Sequence, residues 1–299
     1  MIPPVAARLP GGTRLHLQHG PIDLIIEVIG PPAAVAAAET AAIARFETVL
    51  DELVAQLPFL RSPLADHRST TGPGPVGSIA QRMVTAATPF TGSFRTPMIA
   101  VAGSVADEVC AVIAAVPGVR RAYVNNGGDV ALHLTPDQAL TVGLVPACDT
   151  GRPQARLRVT FDSPVRGLAT SGRGGRSLSL GIADAVTVVA TCTAVADAAA
   201  TLIANRVDLP GHPGVTRTPA TDVDADSDLG SRLVTVEVGA LTDADVQQAL
   251  DRGSAAAQQW QVAVPDVLGV VLDLRGRRRL VGAAVAGVRD VAQGDRRVA

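Results

Sequence analysis

The chain has 299 residues, 47% of them hydrophobic and 18% charged, the balance of a soluble globular protein able to bury a large core. A formal net charge of −2 and a pI near 6.2 give no global attraction to nucleic acid or an anionic membrane, so any anion recognition must be local. Aromatic residues make up 2%, with Trp260 and Tyr123 each alone of its kind, which removes the stacking platforms that single-stranded nucleic acid needs.

The N-terminus, MIPPVAARLPGGTRLHL, lacks a basic region followed by an apolar core, so neither a signal peptide nor a lipid anchor is expected and the location predicted is cytoplasmic. Residues 13–29 are two β-rich runs around His-Gly-Pro and predict an opening hairpin. From Pro32 to Leu57, Ile43, Phe46, Val49, Leu50, Leu53 and Leu57 recur at helical spacing. They predict a long helix with one face on a sheet. Residues 62–78 are rich in Pro, Gly, Ser and Thr and read as a loop, of a length often functional, before a short helix IAQRMVTAA. MIAVAGSVADEVCAVIAAV reads as a buried helix, and AYVNNGGDVALHL as strand, tight turn and strand.

Further β-type runs are LTVGLV, ARLRVTF, VRGLAT, AVTVVA, LVTVEV and GVVLDL, with helices over 194–206 and 242–258, an acidic loop over 216–231 and a C-terminal tail expected to fray. The order is not a regular strand and helix alternation. The expected class is therefore α+β, a mixed α/β arrangement with long helices packed across mixed sheets. One domain over 1–299 is expected, with an ordered core of about 8–285. The apolar run 185–204 is interrupted by polar residues within the roughly 20 that a bilayer span needs, so no membrane insertion is expected. Cys110, Cys148 and Cys192 are widely spaced among small apolar residues, with no zinc spacing, and read as reduced thiols.

Three constellations carry potential chemistry. In VNNGGDVAL, Gly127 and Gly128 permit positive φ and close approach of a ligand to the main chain beside Asn126, while Asp129 accepts hydrogen bonds; the alternative is a structural hairpin turn. In Thr170-Ser171-Gly172-Arg173-Gly174-Gly175-Arg176-Ser177, the glycines free backbone N–H groups to point at one spot. The two guanidiniums then suit that spot to a phosphate or carboxylate, the alternative being a solvated turn with incidental arginines. In the third, Asp197, Thr201 and Asn205 lie at i, i+4 and i+8, one polar face of an alanine-rich helix. A carboxylate and a hydroxyl on adjacent turns supply two oxygen ligands to Mg²⁺; the alternative is a solvated face. Asp184 and Asp107 stand in similar small-residue surroundings and read equally as caps or surface acids. The five histidines show no metal spacing, and His19 and His67 remain as isolated loop acids or bases.

In this order the segments resemble the ApbE family, FAD-dependent transferases that attach FMN to a threonine of a target protein using Mg²⁺. AVAGSVADEV is similar to that family's A-K-G-x-A-x-D helix, AYVNNGGDVAL to its V-N-x-G-G-D hairpin, LATSG to its T-S-G turn, and VADAAATLIAN to its A-D-A-x-x-T helix. The resemblance implies a metal held by Asp197, Thr201 and a backbone carbonyl near Ala169. It implies a nucleotide site lined by Asp107, Gly127, Gly128, Asp129, Ser171 and Gly172. The family's helix lysine is Ala102 here, and only RGGRSLSLGIA separates TSG from DAVTVVA, where the transferases carry a longer hairpin with a histidine and an Asp-Pro-x-Thr-Gly loop. The transfer machinery is thus missing. GPID, TPMIAVAG, VNNGGD, TSGRGGRS, GIADAVTV, AATLIAN and SDLGSRLVTV resemble a separate ApbE-like family of unassigned function, over about residues 8–274.

The three constellations are expected to share one pocket. Asp197, Arg176 and Asp184 would serve a reaction, and Asp107, Asn126, Gly127, Gly128, Asp129, Thr170, Ser171, Gly172 and Arg173 would bind FAD, FMN or another small anionic ligand. Phosphoanhydride cleavage by metal-activated water is one expectation. A hydrolase or lyase gripping a carboxylated metabolite through Arg173 and Arg176 is a second, and a non-catalytic carrier a third. The apolar strands and alanine-rich helices leave room for a homodimer.

Overall fold

A computed structural model describes residues 3–64, 74–145, 153–175 and 177–291. In chain order the elements are β1 (Val5–Arg8), β2 (Arg14–His19), β3 (Ile22–Ile29), α1 (Pro32–Val54), α2 (Leu57–Leu60), α3 (Ser78–Ala87) and a 3-10 turn (Pro97–Ala100) leading into α4 (Val101–Ala114). There follow β4 (Arg121–Asn126), β5 (Asp129–Leu134), β6 (Ala139–Leu144), β7 (Ala155–Thr160), β8 (Gly167–Ser171), β9 (Ala185–Ala190) and α5 (Thr193–Ala204). The rest are β10 (Val215–Pro219), α6 (Ala220–Val223), β11 (Leu233–Val238), α7 (Asp243–Ala263), β12 (Val267–Leu274), β13 (Arg277–Val281), a 3-10 turn (Ala283–Val285) and β14 (Arg289–Asp290). The α+β class read from the pattern is the class the chain adopts.

The chain divides into two compact units. The first holds residues 1–140, 160–169 and 190–197. Its strands lie in the order β1-β2-β3-β4-β5-β8, each antiparallel to the next through β5 and β8. Strict alternation in β3, where Ile22, Leu24, Ile26 and Val28 are buried and their neighbours are not, gives the sheet one apolar face. Helices α1 and α4 cover it and α3 packs on α4: Ala34, Ala38, Ala42, Phe46, Val49 and Leu53 of α1 join Val105, Val109 and Ile113 of α4 and Met83 of α3 in one core. Phe46, Val49 and Leu53 lie on the predicted stripe, but α1 stops at Val54 and Leu57 belongs to α2.

The 3-10 turn and α4 together, Pro97–Ala114, are long and apolar enough to cross a membrane by length and composition. Here they pack as a core helix, half buried against the sheet and α1. Thr96 starts the turn by accepting the Met98 N–H on its hydroxyl, with Pro97 in the first position, where its missing N–H is harmless.

The second unit holds residues 141–159, 170–189 and 198–299. Strands β8, β9, β12 and β13 follow in that order, with β10-β11 a separate antiparallel pair and β14-β7-β6 a third sheet. Every residue of β9 is buried, which explains why AVTVVA reads as a continuous apolar run. Helix α7 packs on β12 and β13 and begins with a reciprocal cap, Thr242 and Asp245 each bonding the other's backbone N–H.

Three expectations fail here, and two strands were not anticipated. β10 and α6 fall inside the stretch read as an acidic loop, because β11 supplies β10 with pairing that no local pattern announces. β1 and β13 were not legible either: the residues of β1 are all exposed, and β13 is Arg-Arg-Arg-Leu-Val, so neither shows a half-buried alternation. α7 runs five residues beyond its predicted end at 258. His19 is not a loop residue; it ends β2, buried, with its ring edge-on to Phe46 at 6.3 Å. His67, Cys148 and the tail from 292 lie outside the described residues.

Candidate functional site

In the first unit, α4 and the start of α5 cap each other. Asp107 of α4 accepts the N–H groups of Thr193 and Ala194, the first residues of α5, at 3.0 and 2.9 Å. Asp197 of α5 accepts from Gly103 N–H at 3.0 Å and from Ala102 N–H, in the first turn of α4. Each helix therefore provides the acceptor for the other's orphan donors, and the carboxylates sit where the helix dipoles favour negative charge. The close approach needs glycine. A Cβ on Gly103 would lie 2.4 Å from the Thr193 carbonyl oxygen, and one on Gly167 of β8 would lie 2.2 Å from the Thr193 nitrogen. The sequence singled out Asp107 and Asp197 but not Gly103; its place in AVAGSVADEV was the available signal.

The Asn-Asn-Gly-Gly-Asp hairpin reaches the same place. Gly127 and Gly128 have φ of 63° and 115°, the turn that glycine alone makes without strain. Both are exposed, with Gly128 N–H held by the Asn125 side chain at 2.8 Å. Asn126 is buried and donates its side-chain amide to the Ala102 carbonyl at 3.1 Å. Asp129, also buried, hydrogen-bonds Asp197, carboxyl to carboxyl. Two of the three constellations thus meet.

A bond between two carboxyls requires a proton between them. Burial, which disfavours the charged form, pushes Asp197 up to about 7; the N–H bonds and Asp129 work against that rise, while Asp107 adds repulsion. Burial likewise raises Asp107, opposed by the two α5 amides. Asp197 as a whole residue keeps some exposed surface, while its carboxyl is desolvated. Val130 and Leu168 are register partners, so one step further along β5 and β8 come Asp129 and Ala169. Ala169 is itself buried. Thr201 stands one turn beyond Asp197 on α5, partly exposed, and Asn205 accepts the Leu180 N–H at 2.9 Å.

Among the described residues no group of three or more His, Cys, Asp or Glu has a metal-holding arrangement. The donors that fit a hard divalent cation are the oxygens of Asp129 and Asp197, where a cation can take the place of the shared proton.

The glycine-rich turn, in the second unit, is built differently from the expectation. Its amides do not converge on open space: Arg173 N–H donates to the Ala183 carbonyl, Gly174 to that of Asp184 and Gly175 to that of Gly172, at 3.0, 3.4 and 3.1 Å. Gly172, at φ 142°, sits where a Cβ would lie 2.8 Å from the Asp184 carbonyl oxygen. The glycines thus permit close packing of the turn on residues 183–185. Arg173 is paired with Asp184 at 3.1 Å, and the other Asp184 oxygen accepts the Arg275 N–H. Thr170 hydrogen-bonds Thr187 at 2.8 Å, hydroxyl to hydroxyl, and Ser171 ends β8. Arg176 lies outside the described residues. A cavity of about 420 Å³ elsewhere in this unit includes Arg275, Arg277 and Asp243 and none of the residues chosen from sequence. Arg275 is already bonded to the Val238 and Gly239 carbonyls and Arg277 to Asp243, so the chemistry of the carboxyl pair is the better guide.

Comparison with known proteins agrees with the family read from these segments. The chain is 37% identical over 171 residues to a UPF0280 protein of Methanosphaerula palustris, covering 56% of this chain and 65% of that one. It is 34% identical over 183 residues to a UPF0280 protein of Methanopyrus kandleri, covering 61% and 69%. The chain thus spans just under two thirds of the first relative's length. Among solved structures, the apo crystal structure of the Pseudomonas stutzeri flavinyl transferase ApbE matches with a TM-score of 0.47 and 12% identity over 94% of each chain. A sequence profile for the family described as AbpE bacteria matches residues 6–280, and the chain belongs to that family.

Proposed function

We propose that this chain binds a flavin nucleotide or other phosphorylated ligand together with Mg²⁺ at the meeting point of the Gly127-Gly128 hairpin and the facing starts of α4 and α5. The observation that carries the reading is the carboxyl–carboxyl bond between Asp129 and Asp197. A buried acid pair that holds a proton at neutral pH is poised to exchange it for a divalent cation, and such perturbed groups concentrate at functional sites. Membership of the AbpE bacteria family, with the resemblance of its segments to the ApbE flavin transferases, supports a flavin nucleotide as the ligand class.

Asp129 and Asp197 would hold the metal, with the Ala169 carbonyl beside Asp129 as a further oxygen donor. When bound, Mg²⁺ would offset the charge of the ligand's phosphates. The chain's own part is to hold the pair's proton until the cation arrives and to keep the exposed Gly127 and Gly128 main chain open to a ligand. With the transferases' histidine-bearing hairpin missing from the sequence, transfer of flavin to a protein is not proposed. Cleavage of a phosphoanhydride remains the catalytic form of this reading.

Calorimetric titration of FAD and FMN into the purified chain, with and without Mg²⁺, tests it. Mg²⁺-dependent binding that disappears in Asp197→Asn and Asp129→Asn is expected. Absence of flavin-nucleotide binding in the parent with Mg²⁺ present, or undiminished binding in both variants, refutes it.

A further inference from the structure

A second cleft in the first unit, of about 190 Å³, lies between the later turns of α4 and the ends of β5 and of the segment before α5. Its polar lining is Arg82, His133, Arg166, Thr191 and the Cys192 thiol, together with Asp107. We propose that this cleft is a binding site for a small oxyanion, a phosphate or carboxylate group.

Arg82 and His133 have donor capacity to spare among the described residues. Among the described residues Arg82 has one hydrogen-bond partner, Glu108 at 3.2 Å, and its buried Nε has no acceptor. Buried donors without acceptors are rare in native proteins and call for a ligand or water. His133 is partly exposed and its ring makes no hydrogen bond among the described residues. Arg166 is fixed in place by the carbonyls of Phe161, Ser163 and Val165, with its guanidinium 5.7 Å from the centre of the Phe161 ring. Three of its five N–H donors are thereby taken, so Arg166 contributes positive charge and its remaining donors rather than a whole free fork.

The acids nearby are already engaged. Both oxygens of Asp107 accept α5 amides. Glu108 is neutralised by Arg45 at 2.9 Å and Arg82, and it also accepts from Ser78. The thiols differ: Cys110 is buried and pushed up to about 12, first by burial and then by Asp107, so it is inert, whereas Cys192 is partly exposed in the lining of the same cleft. Cys192 is therefore a natural reporter of occupancy.

The inference does not rest on the flavin reading, and its test uses neither flavin nor Mg²⁺. Inorganic phosphate and malonate are titrated separately by calorimetry at constant ionic strength, into the parent, Arg82→Gln and His133→Gln. The rate of Cys192 alkylation by N-ethylmaleimide is followed alongside by peptide mass spectrometry. Millimolar binding of at least one anion is expected, weakened roughly tenfold in Arg82→Gln, the loss of a charge-assisted hydrogen bond. The bound anion is expected to slow Cys192 alkylation. Which anion binds distinguishes phosphate from carboxylate recognition. No binding of either anion by the parent, or equal binding in both folded variants, overturns the proposal. So does binding that leaves the reactivity of an alkylatable Cys192 unchanged.

Discussion

Asp197→Asn is the most informative single change. The asparagine retains an oxygen for the Gly103 N–H and offers Asp129 a side-chain N–H, so the geometry survives while the titrating proton goes. An acid carried from its ordinary 3.8 to about 7 on folding represents at most about 4 kcal/mol, an upper bound because the two carboxyls titrate as a pair. The folded state binds the proton more tightly than the unfolded one. That stabilisation is fully present below the unfolded value, near pH 4, and is lost as pH rises through about 7. The parent should therefore lose stability between about pH 5 and pH 8, whereas Asp197→Asn should lose much less over that range. Urea denaturation followed by far-UV circular dichroism at both pH values measures the difference. Parallel pH profiles for the two proteins would refute the shared proton.

Mg²⁺ should stabilise the parent at about pH 8, above the Asp197 value of about 7, and much less at about pH 5, where Asp197 holds its proton; Asp197→Asn should show neither effect in a thermal melt. Asp107→Ala leaves the Thr193 and Ala194 N–H groups without their acceptor and should destabilise by about 2 kcal/mol in the same denaturation assay. Gly103→Ala drives a methyl into the Thr193 carbonyl and should cost about 3 kcal/mol, and a variant as stable as the parent would contradict the helix approach. Arg173→Gln breaks a half-exposed pair and should change stability by less than about 1 kcal/mol, measured the same way.

Local pattern determined much of this protein. Alternation in runs such as Ile22–Ile29, helical spacing through Phe46, Val49 and Leu53, and the Asn-Gly-Gly turn each need only neighbours in sequence, so the α+β class and most elements were legible. Asp107, Asn126, Asp129 and Asp197 were legible as unusual polar residues among small ones, and the family segments around them were recognisable. What those side chains touch was not. Whether an aspartate caps a helix 86 residues away, as Asp107 does, depends on which helices cross and how closely. The glycine turn around Arg173 shows the same limit. Sequence supplied glycines and a cation, but only packing against residues 183–185 decided that the amides would be consumed internally. β1, β10 and β13 are strands because a partner strand offers hydrogen bonds, and the anion-suited cleft gathers Arg82, His133, Arg166 and Cys192 from four separate segments. Periodicity records what a residue does with its neighbours along the chain; electrostatics and desolvation depend on neighbours in space.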